Sequence, residues 1–259
     1  MYSIERKAEI IKILEKTGRV EVIELSKLFH TSKETIRRDM REMEADYLLK
    51  RTHGGAVKYD QNSPTGDEFP VTVREIQHYQ EKDDICRKAA SFIQSGDSIF
   101  VDNSSTCLYL LKHIPANHQV TIITNSIKLL VESARNSNPN HIIVCLGGLF
   151  HGSNLSLYGN ITLKNASEYY PNKAFMSCAG IHLPNEVVDS SLLEVDTKRL
   201  MIERSHEVFI LADNCKFEKG GHVFLSNFNN IDWIITDHKT PVDQLVSLEK
   251  AGIKMVVAE

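Results

Sequence analysis

The amino-acid sequence predicts an α/β protein in two parts: a small helical head over residues 1–58 and a larger body over residues 75–259, built on a mainly parallel sheet. Three observations predict it. Apolar residues recur at helical spacing through the head. From residue 82 onward, short apolar runs alternate with helix-length segments, the pattern of a parallel sheet covered on both faces. Between the two, Tyr59-Asp60-Gln61-Asn62-Ser63-Pro64-Thr65-Gly66-Asp67 is polar and aperiodic and contains Pro and Gly, which is linker chemistry and places a linker at 59–74.

In the head, Ile4, Ala8, Ile11 and Leu14 share one helical face, and Gly18 ends that helix. A second short helix is expected over Val22–Phe29, with Ile23, Leu25, Leu28 and Phe29 as its apolar surface, followed by a turn at His30-Thr31-Ser32. A third helix runs from Lys33 to about Asp46 and buries Ile36, Met40 and Met43. Leu48 to Val57 read as two short strands around a basic tip. In the body, a helix over Lys82–Ile93 stops at Ser95-Gly96-Asp97. Strands are predicted at Ser98–Asp102, Val120–Thr124, Ile142–Leu146, Ala174–Cys178, Val208–Ala212, Trp233–Thr236 and Lys254–Val257, with helical segments between most of them.

Of the 259 residues, 42% are hydrophobic and 25% charged, a globular composition that excludes a disordered chain. No run approaches the roughly 20 apolar residues of a membrane helix, and the mixed charges of Met1 to Lys7 are not those of a secretory leader. The five cysteines (Cys86, Cys107, Cys145, Cys178, Cys215) are odd in number and form no C-x-x-C pair, so reduced core thiols in a cytoplasmic protein are expected. Net charge is −4, unevenly spread: residues 1–59 hold 13 Lys/Arg against 10 Asp/Glu, the remaining 200 hold 17 against 24. A head at +3 on a body at −7 suits a head that meets a polyanion.

The third helix carries the chemistry for that. Thr31 and Ser32 each offer a cap, with Glu34 placed as in a capping box. Opposite the buried stripe lie Lys33, Thr35, Arg37, Arg38 and Arg41; arginine pairs bidentately with guanine edges, and other cations settle on phosphates. Ser32 at the helix start, and Arg51 and His53 in the strand pair that follows, complete a set of residues expected to bind double-stranded DNA. The charges alone also fit a solvated helix face in which the arginines pair with Glu34 and Asp39. The order of parts favours DNA: three short helices, a turn, a cap, a basic helix and then a wing.

The run Leu25-Ser26-x-x-Phe29-x-x-Ser32-x-x-Thr35-Ile36-Arg37-Arg38-Asp39-Met40-x-x-Met43-Glu44, then Leu49-x-Arg51-x-His53-Gly54-Gly55-Ala56, resembles the DeoR family of bacterial transcriptional regulators. Met40 and Met43 stand where that family usually has Leu, a swap that conserves apolar volume, and Tyr47 stands where Gly is usual. The resemblance continues through Asp102-Asn103-Ser104-Ser105-Thr106, Thr124-Asn125-Ser126, Leu146-Gly147-Gly148 and Asp213-Asn214-Cys215-Lys216-Phe217. It implies a winged helix-turn-helix joined to a Rossmann-like domain similar to ribose-5-phosphate isomerase and coenzyme A transferases, one that binds sugar phosphates.

Each of those four segments sits where a predicted strand ends, and ligands of open parallel sheets bind beyond the carboxyl ends of strands. Asn103 to Thr106 lead from a strand into a predicted helix, so free N–H groups and hydroxyls could surround a phosphate there, or the hydroxyls could simply cap. Lys216 is either a cation for that phosphate or a surface lysine, and Asp213 either accepts hydroxyls or caps the next turn. Gly147-Gly148 either lets backbone approach a ligand or makes a turn. Gly180, Glu194 and Lys198 match family positions; at i and i+4, Glu194 and Lys198 also fit a surface pair. Ser104 and Ser177 replace a usual Gly, and Ala179 a usual Asp.

The resulting expectation is a repressor of carbohydrate-metabolism genes, released from its operator by a phosphorylated sugar or similar metabolite, assembled as a homodimer or homotetramer, with no membrane association. No catalytic residue, cofactor or metal is expected. An isomerase acting on a sugar phosphate would need a placed base, for which Glu194 and Asp213 are available but Ala179 is not. A constitutive DNA binder whose body only oligomerises is the other alternative.

Overall fold

A computed structural model describes residues 3–45, 48–58, 70–217 and 221–259. The expected helix end at Asp46, Tyr47, and the linker over 59–69 lie outside the described residues. The chain divides into two compact units, residues 1–79 and 80–259.

The first unit contains α1 (Ser3–Thr17), β1 (Arg19–Glu21), α2 (Val22–Leu28), α3 (Lys33–Ala45), β2 (Leu49–Arg51), β3 (Gly55–Lys58) and α4 (Val71–Arg74). Its strands form an antiparallel sheet in the order β1-β3-β2. β1 alternates as Arg-Val-Glu over only three residues, too few to signal a strand, so it was not anticipated. α4 falls at the end of the expected linker. The core joins Ile10, Leu14, Val20, Val22, Leu25, Ile36, Met40, Met43, Leu49 and Ala56.

Two helix faces differ from expectation. α1 buries Arg6, Ile10 and Leu14, while Ile4 and Ala8 are half-buried. α2 follows β1 without a gap, and Val22 N–H is held by Gly54 C=O, so Val22 and Leu25 face the core. Ile23 and Leu28 are exposed at 49% and 58%. Before α3, Ser26 Oγ donates to Thr31 C=O and Thr31 N–H returns to Ser26 C=O. Ser32, not Thr31, caps α3: its Oγ accepts from Thr35 N–H at 3.1 Å. Gly55 is required by contact, since a Cβ there would lie 1.9 Å from Val20 O.

The second unit runs α5 (Tyr79–Ala90), β4 (Ser98–Val101), a 3₁₀ helix (Cys107–His113), β5 (Val120–Thr124), α6 (Ile127–Arg135), β6 (His141–Cys145), β7 (Leu149–His151), β8 (Ser156–Tyr158) and α7 (Asn160–Ser167). It continues with β9 (Lys173–Met176), β10 (Gly180–His182), β11 (Glu186–Asp189), α8 (Val195–Arg204), β12 (Glu207–Leu211), β13 (Val223–Asn227), β14 (Trp233–Asp237), α9 (Val242–Lys250) and β15 (Lys254–Ala258).

Seven of these strands form one parallel sheet in the order β15-β14-β12-β9-β4-β5-β6. All seven predicted strands are its members, within one or two residues at their ends. β4, β9 and β12 bury nearly every residue, as strands covered on both faces must; β6, at the edge, buries none of its five. The antiparallel additions, a β7–β8 hairpin and a β10-β11-β13 sheet, were not anticipated. Their strands have three to five residues, too few for a period-two signal.

All five cysteines are free, but only Cys86, Cys107 and Cys178 are buried; Cys145 is exposed and Cys215 half-exposed, which corrects the reading of all five as core thiols. Among the described residues no helix is long and apolar enough to cross a membrane.

Candidate functional site

In the first unit, α3 presents Lys33, Arg37, Arg38 and Arg41 to solvent, opposite its buried stripe. Arg41 reaches Glu34 at 2.7 Å and Arg37 reaches it at 3.7 Å, exposed pairs worth little and easily exchanged for phosphate. Among the described residues Arg38 has no ion pair. Asp39 is not the surface partner expected of it. It is fully buried and takes Arg6 Nε at 2.5 Å, Arg6 Nη2 at 3.1 Å and Ser3 Oγ at 3.2 Å, stapling α3 to α1.

Arg51 Nε meets Glu44 at 2.6 Å and its N–H meets the same carboxylate at 2.9 Å, which ties β2 to α3. Those hydrogen bonds hold the Glu44 carboxyl below its ordinary pKa. Thr52 N–H to Gly55 C=O closes the turn that carries His53, which is exposed. Ser32 and Thr35 share a hydrogen bond at 2.8 Å at the start of α3. The expected DNA residues therefore lie along α3, its start and the adjoining wing.

In the second unit, parallel strands bring the predicted segments to one edge of the sheet. Asp102–Thr106 follow β4, Thr124–Ser126 end β5, Gly147-Gly148 follow β6, and Asp213 follows β12. β4 and β9 are neighbours from which the strand order runs outward in opposite directions, the topological switch point where open sheets leave a crevice. Asp102 and Ser177 close that point: Asp102 accepts from Ser104 N–H at 3.0 Å and Ser177 N–H at 3.1 Å.

Lys198 enters from α8. Its ammonium lies 2.7 Å from Asp189, 3.2 Å from Asp102 and 3.0 Å from Ser177 C=O, so its three protons are engaged. Burial would lower its pKa, but Asp189 and Asp102 outweigh that and hold it well above the ordinary value. Glu194, on the same side, accepts from Asn154 Nδ2 at 3.0 Å, His151 Nδ1 at 3.1 Å and Ser156 Oγ, and the Asn103 side chain helps to hold its pKa down. Both residues are buried, so the surface-pair reading of Glu194 and Lys198 is wrong. Helical spacing cannot tell a pair facing water from two residues each held by other elements.

The element after Thr106 is a 3₁₀ helix of seven residues, which corrects the expected α-helix and removes the argument from its dipole. Ser104 Oγ does cap it, accepting from Cys107 N–H at 3.2 Å. The backbone N–H groups of Asn103, Ser105 and Thr106 make no hydrogen bond among the described residues. Lys82 of α5, 4% exposed, points Nζ at Ser105 Oγ from 3.1 Å. The sequence reading missed it, although Lys82 stands in register with the apolar stripe Ile85, Cys86 and Ala89, and a lysine in such a stripe is a signal.

The remaining positions divide. Thr124 Oγ1 accepts from Ser126 N–H, and Ser126 Oγ caps α6 through Leu129 N–H at 3.2 Å. Gly147 and Gly148 have φ of +67° and +127°, and a Cβ on Gly148 would meet Thr162 Oγ1 at 2.0 Å, so this pair serves the turn and the packing of α7. Gly180 lies buried in β10, opposite Val188. Asp213 caps, accepting from Cys215 N–H at 3.0 Å. Lys216 has no ion pair among the described residues. The Cys178 thiol is pushed up to about 12 by burial, and the Lys216 and Lys198 charges pull against that. His151, Asn154, Ser156 and Asp189 were missed because they sit in or beside the unanticipated antiparallel strands.

Residues 6–62 match the family model of the DeoR-like helix-turn-helix domain, and residues 77–238 that of the DeoR C terminal sensor domain. The chain belongs to the DeoR family. The regulator YulB of Bacillus subtilis is 32% identical over 255 residues, covering 98% of this chain and 96% of that one. The glycerol-3-phosphate regulon repressor of Escherichia coli is 28% identical over 258 residues, covering 98% and 99%. Ribose 5-phosphate isomerase A from Methanocaldococcus jannaschii aligns with 54% of this chain and 55% of its own at 13% identity, with a TM-score of 0.40. As a DeoR-family member the chain is a transcriptional regulator and not an isomerase.

Proposed function

We propose that this DeoR-family regulator is a repressor of carbohydrate-metabolism genes, held on its operator by α3 and the wing and released when a phosphorylated sugar or similar metabolite enters the crevice at β4 and β9. One observation carries the ligand half of this reading. The turn 103–106 leaves three backbone N–H groups unengaged beside the buried Lys82 ammonium, an arrangement that suits an anion. The names of relatives support the carbohydrate half, among them the repressor GlcR of Bacillus subtilis and the L-fucose operon activator of Escherichia coli.

In this reading Asn103, Ser105, Thr106, Lys82 and Lys216 surround the anion, while Lys198, Asp102 and Glu194 hold the crevice in shape. Two heads on a homodimer or larger assembly would meet two operator half-sites about 10 base pairs or a multiple apart.

Of the α3 arginines, Arg38 is the one with no ion pair among the described residues, so Arg38→Ala is expected to lose about 1–3 kcal/mol of operator affinity if it reads a base. A mobility-shift titration at fixed salt checks this; undiminished binding would remove α3 as the reading helix. Ser105→Asp places a fixed charge where the anion would sit, and the variant should no longer leave the operator when sugar phosphates are added. Lys216→Ala should need a higher concentration. The test is a thermal-shift panel of sugar phosphates on the full chain, followed by operator release with any that stabilise it. Release of Ser105→Asp at the parent's concentration would place the anion elsewhere, and a panel without any stabilisation favours a constitutive binder.

A further inference from the structure

The buried amides beside the 103–106 turn have a fixed direction. Glu194 is 3% exposed, and a carboxylate only accepts hydrogen bonds. Burial pushes its pKa up, but hydrogen bonds from Ser156 and Asn103 and the Lys198 charge outweigh that and keep it below the ordinary value, so it is ionised at neutral pH. Asn103 must then turn its NH₂ toward Glu194 and its Oδ1 away. That Oδ1 accepts from Asn125 Nδ2 at 3.3 Å, and the same Nδ2 donates to Leu157 C=O at 3.0 Å.

Both Asn125 amide protons are therefore assigned, and a flipped amide would set its oxygen against two acceptors. Asn125 is 1% exposed, and its Oδ1 has no hydrogen-bond partner among the described residues. Buried acceptors without a donor are uncommon, because the lost hydration is not replaced.

We infer that Asn125 Oδ1 determines effector specificity, accepting a hydrogen bond from a hydroxyl on the carbon chain of the bound phosphate ester, close to its anionic end. This rests on the phosphate-sensing reading above. The position follows from Asn103, which belongs to the anion turn and touches Asn125 directly. A hydroxyl satisfies the oxygen; an ether, a carboxylate or a second phosphate oxygen meets acceptor with acceptor, and a bare alkyl chain leaves it unsatisfied. Glu194 is a positioning residue: it touches no ligand in this scheme, while Asn103 meets the anion through its backbone N–H and sets, with its side chain, which end of the Asn125 amide faces the ligand.

The experiment is calorimetry on the full chain with ribose 5-phosphate, glucose 6-phosphate and fructose 6-phosphate, against n-pentyl phosphate, n-hexyl phosphate and inorganic phosphate. In the parent, at least one sugar phosphate should bind about 10- to 100-fold more tightly than the alkyl phosphate of equal carbon number, the worth of satisfying one buried acceptor. Asn125→Leu, close in volume, should collapse that ratio to within a few-fold. Glu194→Gln, whose amide can donate and so removes the cause of the ordering, should lower the ratio as well. A general loss of stability would weaken sugar and alkyl phosphates together and leave the ratio in place.

Equal binding of sugar and alkyl phosphates by the parent overturns the inference and leaves phosphate sensing intact. So does a ratio that survives in a folded Asn125→Leu; should that variant not fold, the parent and Glu194→Gln ratios decide. If none of the six compounds binds, phosphate sensing fails and the inference fails with it.

Discussion

Replacing Lys198 with Met is expected to destabilise the second unit by about 3–5 kcal/mol, the usual cost of removing one partner from a buried ion pair. The ammonium sits between Asp189 and Asp102, 2.7 and 3.2 Å away, and both carboxylates are buried. Without it two like charges face each other out of water. For a unit of this size the melting temperature should fall by roughly 10 °C.

The pH dependence separates this cause from simple loss of packing. In the parent, Asp189 is held below its ordinary pKa: burial raises it, but the Lys198 charge and the N–H groups of Ser190 and Ser191 outweigh burial. That stabilisation is present above the unfolded carboxyl pKa and lost only as pH falls through the lower folded value, so the parent should be level in this respect between pH 5 and 7. In Lys198→Met the Asp189 carboxyl loses the charge that holds its pKa down, so its pKa rises in the folded state, and stability should grow as pH falls from 7 toward 5 and a proton takes the place of the cation. Thermal melts at the two pH values decide the matter. A variant that melts with the parent, or one whose deficit is the same at both, would mean that Lys198 is not holding the two carboxylates together.

Asp39→Ala should be comparably severe in the first unit, at about 3–5 kcal/mol, because it takes the buried carboxylate away from the buried Arg6 guanidinium. Here the loss has a second consequence. Asp39 lies on α3 itself and its partners Arg6 and Ser3 lie on α1, so the bond fixes the angle at which α3 is presented. Operator affinity should fall well before the unit unfolds, and hydrogen exchange along α3 should quicken. Asp39→Asn, which keeps the shape and part of the hydrogen bonding, should fall between. Parent-like operator binding by Asp39→Ala with unchanged α3 exchange would refute the staple.

The contrast between these residues shows what was legible. The seven parallel strands could be read because strands buried on both faces are plain apolar runs, such as Ser98 to Val101 and Glu207 to Leu211. The edge where the candidate segments meet followed from that alone, since parallel strands end together. Tertiary partnerships could not be read. Asp39 beside Arg37 and Arg38 looks like part of a surface charge pattern, yet its partner is 33 residues away. Glu194 and Lys198 look like an exposed i, i+4 pair and are instead buried, each among other partners. His151, Asn154 and Ser156 come from a hairpin too short to leave a period. The helix expected after Thr106 failed for a related reason: Cys107 to His113 carry helical residues, but spacing does not distinguish a tight 3₁₀ turn from α.

The pairing of β4 with β9 at the centre of the sheet has a consequence for how the protein is made. In the first unit every strand pairs within residues 19–58, so its contacts close over short loops and can form early. Val101, by contrast, waits for Phe175, and the crevice waits further for Ser177, Glu194 and Lys198. Synthesis proceeds from the N-terminus and units fold as they emerge. A ribosome that stalls or stops between residues 80 and 172 therefore leaves a chain with its DNA-reading unit complete and none of the later residues that shape the sensor. A stop codon in that range differs in kind from a missense change: it removes every residue that closes the second unit and leaves the strand pairs of the first intact.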